Sequence, residues 1–522
     1  MKTDCSVSRG TMKVPTTLRR ATGPVCLILF LVGCATGPDF TTPAPPTASG
    51  YTALALPAHT AASSTALGSV QWFVEGMPIK TQWWRAFGSP ELDALIEEAL
   101  RASPTLEAAE ATLRQARHTY EARAGSTRYP QANANLSGGR KAVTGAAIGQ
   151  PDGENTFNLY SASVNVRYDL DLFGGNRRAL EALAAQTGYQ RFQLENARLI
   201  LAANVAGTAI TQARLAAQIE AAECILGAQA EQLDLTHQRL TLGAASQNDV
   251  LALQTQMEQT RADISALRNG LDQATHLLAT LINQTPSVAT LPWFTLADFT
   301  LPSELPLQVP SELVRQRPDI RASEALLQTA NAQYGVAVSK LYPQITLSAD
   351  VGSQALTVDK LIGAGSLIWA MAGQLAQPLF NRGLRAEARA AEADSDAAAA
   401  YYRETVLQAF RNVADVLRAL DHDAQALAAQ AAADASAQES LELVRQRHAL
   451  GAAHYLDVLT AQQQAESTRM ALFAAQAQRL TDTIAFYSAM GGGWTYDAGV
   501  ALEEPVRAAV TKQFESSKGH GN

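Results

Sequence analysis

The chain has 522 residues, 47% of them hydrophobic and 17% charged, with a formal net charge of −8. That length and apolar content suffice for a large folded body. The acidic balance argues against a nucleic-acid partner, which requires a basic face to displace phosphate counterions.

Taken from the start, Lys13, Arg19 and Arg20 precede an apolar run, Val25 to Val32, too short to span a bilayer as a helix. This is the pattern of a signal peptide over residues 1–33, with Met12 an alternative start to Met1. The run ends in Leu31-Val32-Gly33-Cys34, which resembles a bacterial lipobox, where a small residue precedes a cysteine that is acylated and becomes the first mature residue. An ordinary signal peptide that contains a cysteine is the alternative. The lipobox implies a diacylglycerol and an N-acyl chain on Cys34, and no cofactor besides this covalent lipid. Residue 35 is Ala, not the Asp that holds such lipoproteins at the inner membrane, which implies an outer-membrane address. Without residues 1–33 the chain keeps 36 basic and 48 acidic side chains, a net charge of −12. Cys5 and Cys26 leave with the signal, and Cys224 is then the lone free thiol, so no disulfide framework is expected. Residues 34–80 are expected to be the lipidated N-terminus and a linker, because Thr36 to Ser69 is rich in Thr, Pro, Ala and Ser with too little apolar content to form a core.

The rest reads as one plan written twice. "QRLTLGAASQNDVLALQTQMEQTR" (238–261) aligns without a gap with "QRHALGAAHYLDVLTAQQQAESTR" (446–469), 14 of 24 positions being identical. Segment 103–131 likewise parallels 317–344, and 171–182 parallels 378–389. The expected organisation is a first repeat over 81–284, an equatorial connector over 285–310, a second repeat over 311–490 and a C-terminal tail over 491–522. Each repeat runs helix, strand pair, long helix, turn, return helix.

Long helices are expected over 176–240 and 384–450. The first stretch has no Pro and three Gly, and the second has neither; each would reach about 100 Å. Return helices over 249–283 and 457–490 would run about 50 Å, and 104–128 and 318–341 about 37 Å. A short pair end to end nearly matches one long helix, which suggests a long helix flanked by two stacked shorter ones. A helical rod with no passage inside fits these lengths equally well.

The segments between the helices alternate. In "FNLYSASVNVRYDL" (157–170), Tyr160, Ala162, Val164, Val166, Tyr168 and Leu170 fall on one face and Ser161, Ser163, Asn165, Arg167 and Asp169 on the other. The second strand pair is expected over 344–352 and 365–377, and 131–138 pairs with 157–170. These strands suit a tilted membrane crossing. Four strands cannot close a barrel, and an open edge cannot face lipid. Copies must share one barrel, and three copies would give twelve strands.

At this point the residues resemble the TolC-like outer-membrane factor family, and within it the NodT-type lipoproteins of resistance-nodulation-division (RND) efflux systems. The carriers are "WWRAFGSPELDALIEEAL" (83–100), "SELVRQRPDIRASEALL" (311–327), "YPQ" at 129–131 and 342–344, "DLFGG" (171–175), "PLF" (378–380) and the paired LGAAxxxDVL turns. The resemblance covers Thr81 to about Trp494. It implies a mainly α fold with a small transmembrane β part: a homotrimer whose 12-stranded β-barrel, four strands per chain, continues into a long periplasmic α-helical barrel with a mixed equatorial region. The implied partners are a periplasmic adaptor, an inner-membrane RND pump and outer-membrane lipid.

The duplicated motif then marks the two reversals at the periplasmic end. Gly243 and Gly451 suit the left-handed position that ends a helix, and Ser246 with Asp249 reads as a capping box. His454 replaces the Ser in the second copy, so the cap there is poorer. Capping alone explains both acids. The resemblance implies instead that the tips close the tunnel, with Asp457 at the acid of the family's constriction ring and Asp249, Tyr455 and Leu456 beside it. Thr460 stands where a second acid would be and Ala453 where some members carry Arg, which weakens any charged network here. Leu242, Gly243, Leu450 and Gly451 are the expected adaptor contacts.

No catalytic signature occurs, and the eight His lack ligand spacing, so neither an enzyme nor a metal site is expected. The expected function is a passive exit duct for small toxic compounds in a tripartite RND-type system. A type I protein-secretion exit and a non-conducting scaffold lipoprotein are the alternatives.

Overall fold

A computed structural model describes residues 36–44, 50–144, 154–363 and 365–494. Residues 1–33, expected to be a signal peptide, Cys34 and the tail beyond 494 lie outside the described residues. Two compact units emerge. One takes the chain up to Thr41, His118–Leu183 and Gln328–Ala397, and the other takes Thr42–Arg117, Ala184–Leu327 and the chain from Ala398 on.

The first unit holds an antiparallel sheet of four strands, β2 (Gln131–Thr144), β3 (Glu154–Leu170), β5 (Gln344–Ala355) and β6 (Leu367–Ala376), in the order β2-β3-β5-β6. The central β3–β5 pair joins the two halves of the sequence, and Tyr168 faces Leu347 while Val164 faces Val351. Register sets the chemistry of the two faces, because directly opposed residues share a side. Ala134 opposes Val164, Val164 opposes Val351, and Val351 opposes Trp369. The next row is Ala132, Val166, Ala349 and Met371. One face is therefore apolar across all four strands. The other carries Ser137 and Ser161, whose hydroxyls bond at 2.7 Å, Asn165 donating to Asp350 at 2.7 Å, and Thr346 donating to Asp169 at 2.6 Å. Among the described residues the outer edges of β2 and β6 carry no partner strand.

The second unit is helical around one core. α1 (Pro90–Ala102) starts at a Ser89 cap and buries Leu92, Leu95 and Ile96. It meets the middle of the 67-residue helix α3 (Gly175–Thr241), where Val205, Ala206, Ala209 and Ile210 are fully buried. A stretch of α3 is apolar enough to cross a membrane, and 56% of it is buried inside the fold. The ends of α4 (Gln247–Leu281) and α8 (Tyr455–Ala489) and the middle of the 68-residue α7 (Arg382–Ala449) complete the core. Trp83 stacks on Tyr487 with ring centroids 5.4 Å apart. The remaining helices are α2 (Pro104–Arg128), α5 (Pro310–Gln316) and α6 (Pro318–Ser339). α6 follows Arg317, whose guanidinium donates to the carbonyl of Ala489 at 3.0 Å and so satisfies the end of α8.

Two expectations need correction. The strand expected over 131–138 continues to Thr144, and 344–352 continues to Ala355; cross-strand pairing carries them through residues such as Gly138 and Gly139 that have little strand preference of their own. The segment expected as a linker is packed over much of its described length. β1 (Trp72–Glu75) pairs in parallel with β4 (Glu304–Leu307), inside the stretch taken as connector. Arg479, 0% exposed, holds residues 60–69 by donating to Thr60 Oγ1 at 2.8 Å, the Ser69 carbonyl at 2.8 Å and the Leu67 carbonyl at 3.2 Å. A segment with few apolar side chains is thus fixed by polar contacts to Thr60 Oγ1 and two backbone carbonyls, beside Tyr51, Leu56 and Leu67 packed against the core, and composition does not reveal the polar part.

Candidate functional site: the two helix reversals

Both long helices end in the same way. After α3, the Gly243 N–H donates to the Leu240 carbonyl at 3.0 Å and the Ala244 N–H to the Arg239 carbonyl at 2.7 Å. After α7, Gly451 and Ala452 repeat this with His448 at 2.9 Å and Arg447 at 2.8 Å. This closure needs a left-handed residue, and Gly243 and Gly451 have φ of +71° and +74°. Neither glycine has a heavy atom near the place a Cβ would take, so conformation and not space requires them. Beside them Leu242 and Leu450 are 83% and 84% exposed.

The return helices start differently. Ser246 and Asp249 form a reciprocal cap: the Ser246 N–H and hydroxyl each donate to Asp249 Oδ2 at 2.8 Å, and the Asp249 N–H donates to Ser246 Oγ at 3.3 Å. The bond from the Ser246 N–H, then that from its hydroxyl, hold the Asp249 carboxyl below its usual range. At the second turn Asp457 accepts the His454 N–H at 2.8 Å, and its own N–H goes to the His454 carbonyl at 3.0 Å. No hydroxyl reinforces this cap. His448 instead closes the turn, Nδ1 donating to the Ala453 carbonyl at 3.0 Å, and its ring lies 5.5 Å from that of Tyr455.

Tyr455 reaches across to the other hairpin. Its hydroxyl donates to Glu231 Oε2 on α3 at 2.6 Å, and this bond is the first cause that raises the phenol above its ordinary range. A chain of amides runs alongside: Gln256 donates to Gln463 at 3.3 Å, Gln463 to Gln232 at 2.9 Å, and Gln232 to Thr460 at 3.5 Å. Leu456 is half-buried, while Val458 and Leu459 are buried behind it. Tyr455, Leu456 and Asp457 thus share one turn, and Asp249 caps the other. Glu231, Gln232 and Gln256 were not singled out by sequence. Their partners lie more than 200 residues away, and the run Gln462-Gln463-Gln464 was the one visible hint.

Comparison with known proteins agrees with this architecture. The profile of the outer membrane efflux protein family matches residues 95–284 and 309–492, one stretch in each half. The chain is 29% identical to the solvent efflux pump outer membrane protein SrpC of Pseudomonas putida, over 90% of this chain and 98% of SrpC. It is 31% identical to the pyoverdine export outer membrane protein OpmQ of Pseudomonas putida, over 80% of this chain and 89% of OpmQ. The crystal structure of VceC from Vibrio cholerae superposes with a TM-score of 0.70 at 27% identity, covering 80% of this chain and 100% of VceC. With a family profile in each half, relatives along most of its length and the fold of solved efflux channels, the chain belongs to the outer membrane efflux protein family and is an outer-membrane exit channel with the TolC-like fold.

Proposed function

We propose that three copies of the chain form one duct, that its periplasmic end is closed at rest by the two helix reversals, and that a periplasmic adaptor opens it for an inner-membrane RND pump. The observation that carries this reading is the four-stranded sheet with one apolar face and two edges unpaired among the described residues. Unpaired amides are not tolerated in lipid, so β6 of one copy pairs with β2 of the next. Trimers of this kind close a twelve-stranded barrel wide enough to leave a passage.

The proposed gate is Tyr455, Leu456 and Asp457, with Asp249 at the neighbouring tip. The Tyr455–Glu231 bond and the amide chain tie the α7/α8 hairpin to the α3/α4 hairpin and hold the resting position. Three Asp457 carboxylates around an axis attract cations and repel anions. Leu242, Gly243, Leu450 and Gly451 are proposed to receive the adaptor, since exposed Leu beside glycine offers apolar area and close backbone approach. Cys34 is proposed to carry the lipid. The pump supplies the energy, and the chain carries out no chemistry. Small molecules are the proposed cargo, in line with the solvent and pyoverdine that the relatives are named for. Purified full-length protein in planar bilayers tests this reading: it should conduct with cation preference, and Asp457→Ala should lower that preference several-fold while the conductance persists. A protein that inserts without conducting would be a scaffold.

A further inference from the structure

The two halves match end to end around their turns. α3 and α7 finish at Thr241 and Ala449, α4 and α8 run Gln247–Leu281 and Tyr455–Ala489, and each position is answered by the one 208 residues on. Their surroundings differ. On α8, Leu459 is 1% exposed and Glu466 9% exposed, and Gln463 is half-buried. The counterparts on α4, Leu251, Glu258 and Thr255, are all exposed, Leu251 by 51%. The long helices show the same contrast. Gln218, Ala221 and Ala228 of α3 are buried, whereas Ala426, Ala429 and Ser436 of α7 are exposed, and Leu443, the counterpart of half-buried Leu235, is 53% exposed. Spacings of three and seven put these four α7 residues on one face.

What covers the first set is visible within the chain. α8 lies antiparallel on α3, with Gln463 donating to Gln232 at 2.9 Å, Gln218 donating to the Met470 carbonyl at 3.3 Å and Tyr455 donating to Glu231 at 2.6 Å. The matching faces of α4 and α7 stay open among the described residues, so they do not cover each other inside one chain. Their chemistry is nevertheless complementary. Glu258 is neutralised by Arg261 at 2.6 Å, as Glu466 is by Arg469 at 3.4 Å, so burying this acid strands no charge. Ala426 and Ser440 stand where α3 has Gln218 and Gln232, which leaves room for a helix to approach. At the tip, Gln247 takes the place of Tyr455 and Glu439 that of Glu231, an amide donor opposite a carboxylate.

We propose that these open faces are the two sides of one seam between copies: α4 of one chain lies on α7 of the next as α8 lies on α3 within a chain, and Gln247 donates to Glu439 of that next copy. This rests on the trimeric reading of the duct. Each copy offers a different face to its two neighbours, a head-to-tail contact that closes a ring when the rotation between copies does. Ala426 to Leu443 gives the seam about 25 Å of helix. Each reversal is then held by one bond inside its chain and one bond to another copy, so that no hairpin swings alone.

The full chain in outer membranes, in a Cys224→Ser background, tests this with Thr255→Cys and Ser440→Cys, the exposed counterparts of Gln463 and Gln232. A short bis-methanethiosulfonate reagent should link the doubly substituted chains into species of two and three chains that survive heating in dodecyl sulfate. Each single substitution should leave single chains, and two differently tagged single variants made together should give a linked pair carrying both tags. Ala262→Cys with Ala426→Cys, about two turns further along α4, repeats the measurement should the first pair disturb assembly. In planar bilayers Gln247→Ala and Glu439→Ala should each raise the conductance several-fold, and the double variant no more than either alone. Trimers in unheated samples with neither pair linked between chains, a link confined to one chain, or a link to a protein of another kind overturns the seam. Unchanged or additive conductances overturn the Gln247–Glu439 bond. A parent chain without trimers overturns the trimeric reading instead.

Discussion

Gly243 and Gly451 need their φ and nothing else, because no neighbour crowds them. A β-branched residue there costs about 1–2 kcal/mol in the left-handed region, enough to redirect the tip and too little to unfold a core that lies elsewhere. Gly243→Val and Gly451→Val should therefore abolish drug resistance while trimers still form, read by susceptibility assays beside electrophoresis of unheated samples. Loss of trimers would make these glycines structural. Such turns are legible in sequence because their requirement is local: a glycine, a cap three residues before an acid, and the same words twice. The partner of Tyr455 is not, since the carboxylate of Glu231 comes from another helix and only the fold selects it.

At the scale of the elements, α7 and α8 face each other through a carboxyl pair. Burial first, and then the hydrogen bond to Asp423, push Asp482 up from 3.8 to about 7. Gln478 Nε2 donates to both of its oxygens at 3.1 Å, and the neighbouring cation is Arg479, which burial lowers to about 10 and which stays charged throughout. The folded state holds this proton more tightly than the unfolded one. Its contribution is complete below about pH 4 and is lost as pH rises through about 7. The parent protein should lose thermal stability from pH 5 to 8 relative to Asp482→Asn, in which this component of the pH dependence disappears; scanning calorimetry in detergent measures it. The helices themselves were legible from the lack of Pro over some 65 residues, with three Gly in the first stretch and none in the second. The segment before Trp72 was not, because its hold is Arg479, 410 or more positions away, and a polar staple leaves no period behind.

At the scale of the whole molecule, membrane insertion depends on the register of the sheet. Met371 is 78% exposed on the apolar face, and Ala372 is its neighbour on the other. Arg on a lipid face costs about 2–4 kcal/mol near the bilayer midplane and little on a lumen face. Met371→Arg should lower the yield of trimer in outer membranes sharply, and Ala372→Arg should leave it near the parent level while shifting ion preference. Equal yields would place the apolar face away from lipid.

The β3–β5 seam has one more consequence. In the trimer proposed above, chains of half the length would have to number six for the same ring, and every lower turn would then be chemically alike. Welding two halves through that seam makes adjacent turns inequivalent, so one can keep a firm serine cap at Ser246 while the other trades it for His454 and a reaching Tyr455. Division of labour between a rigid post and a movable one is thus available to a symmetric ring without any second kind of subunit.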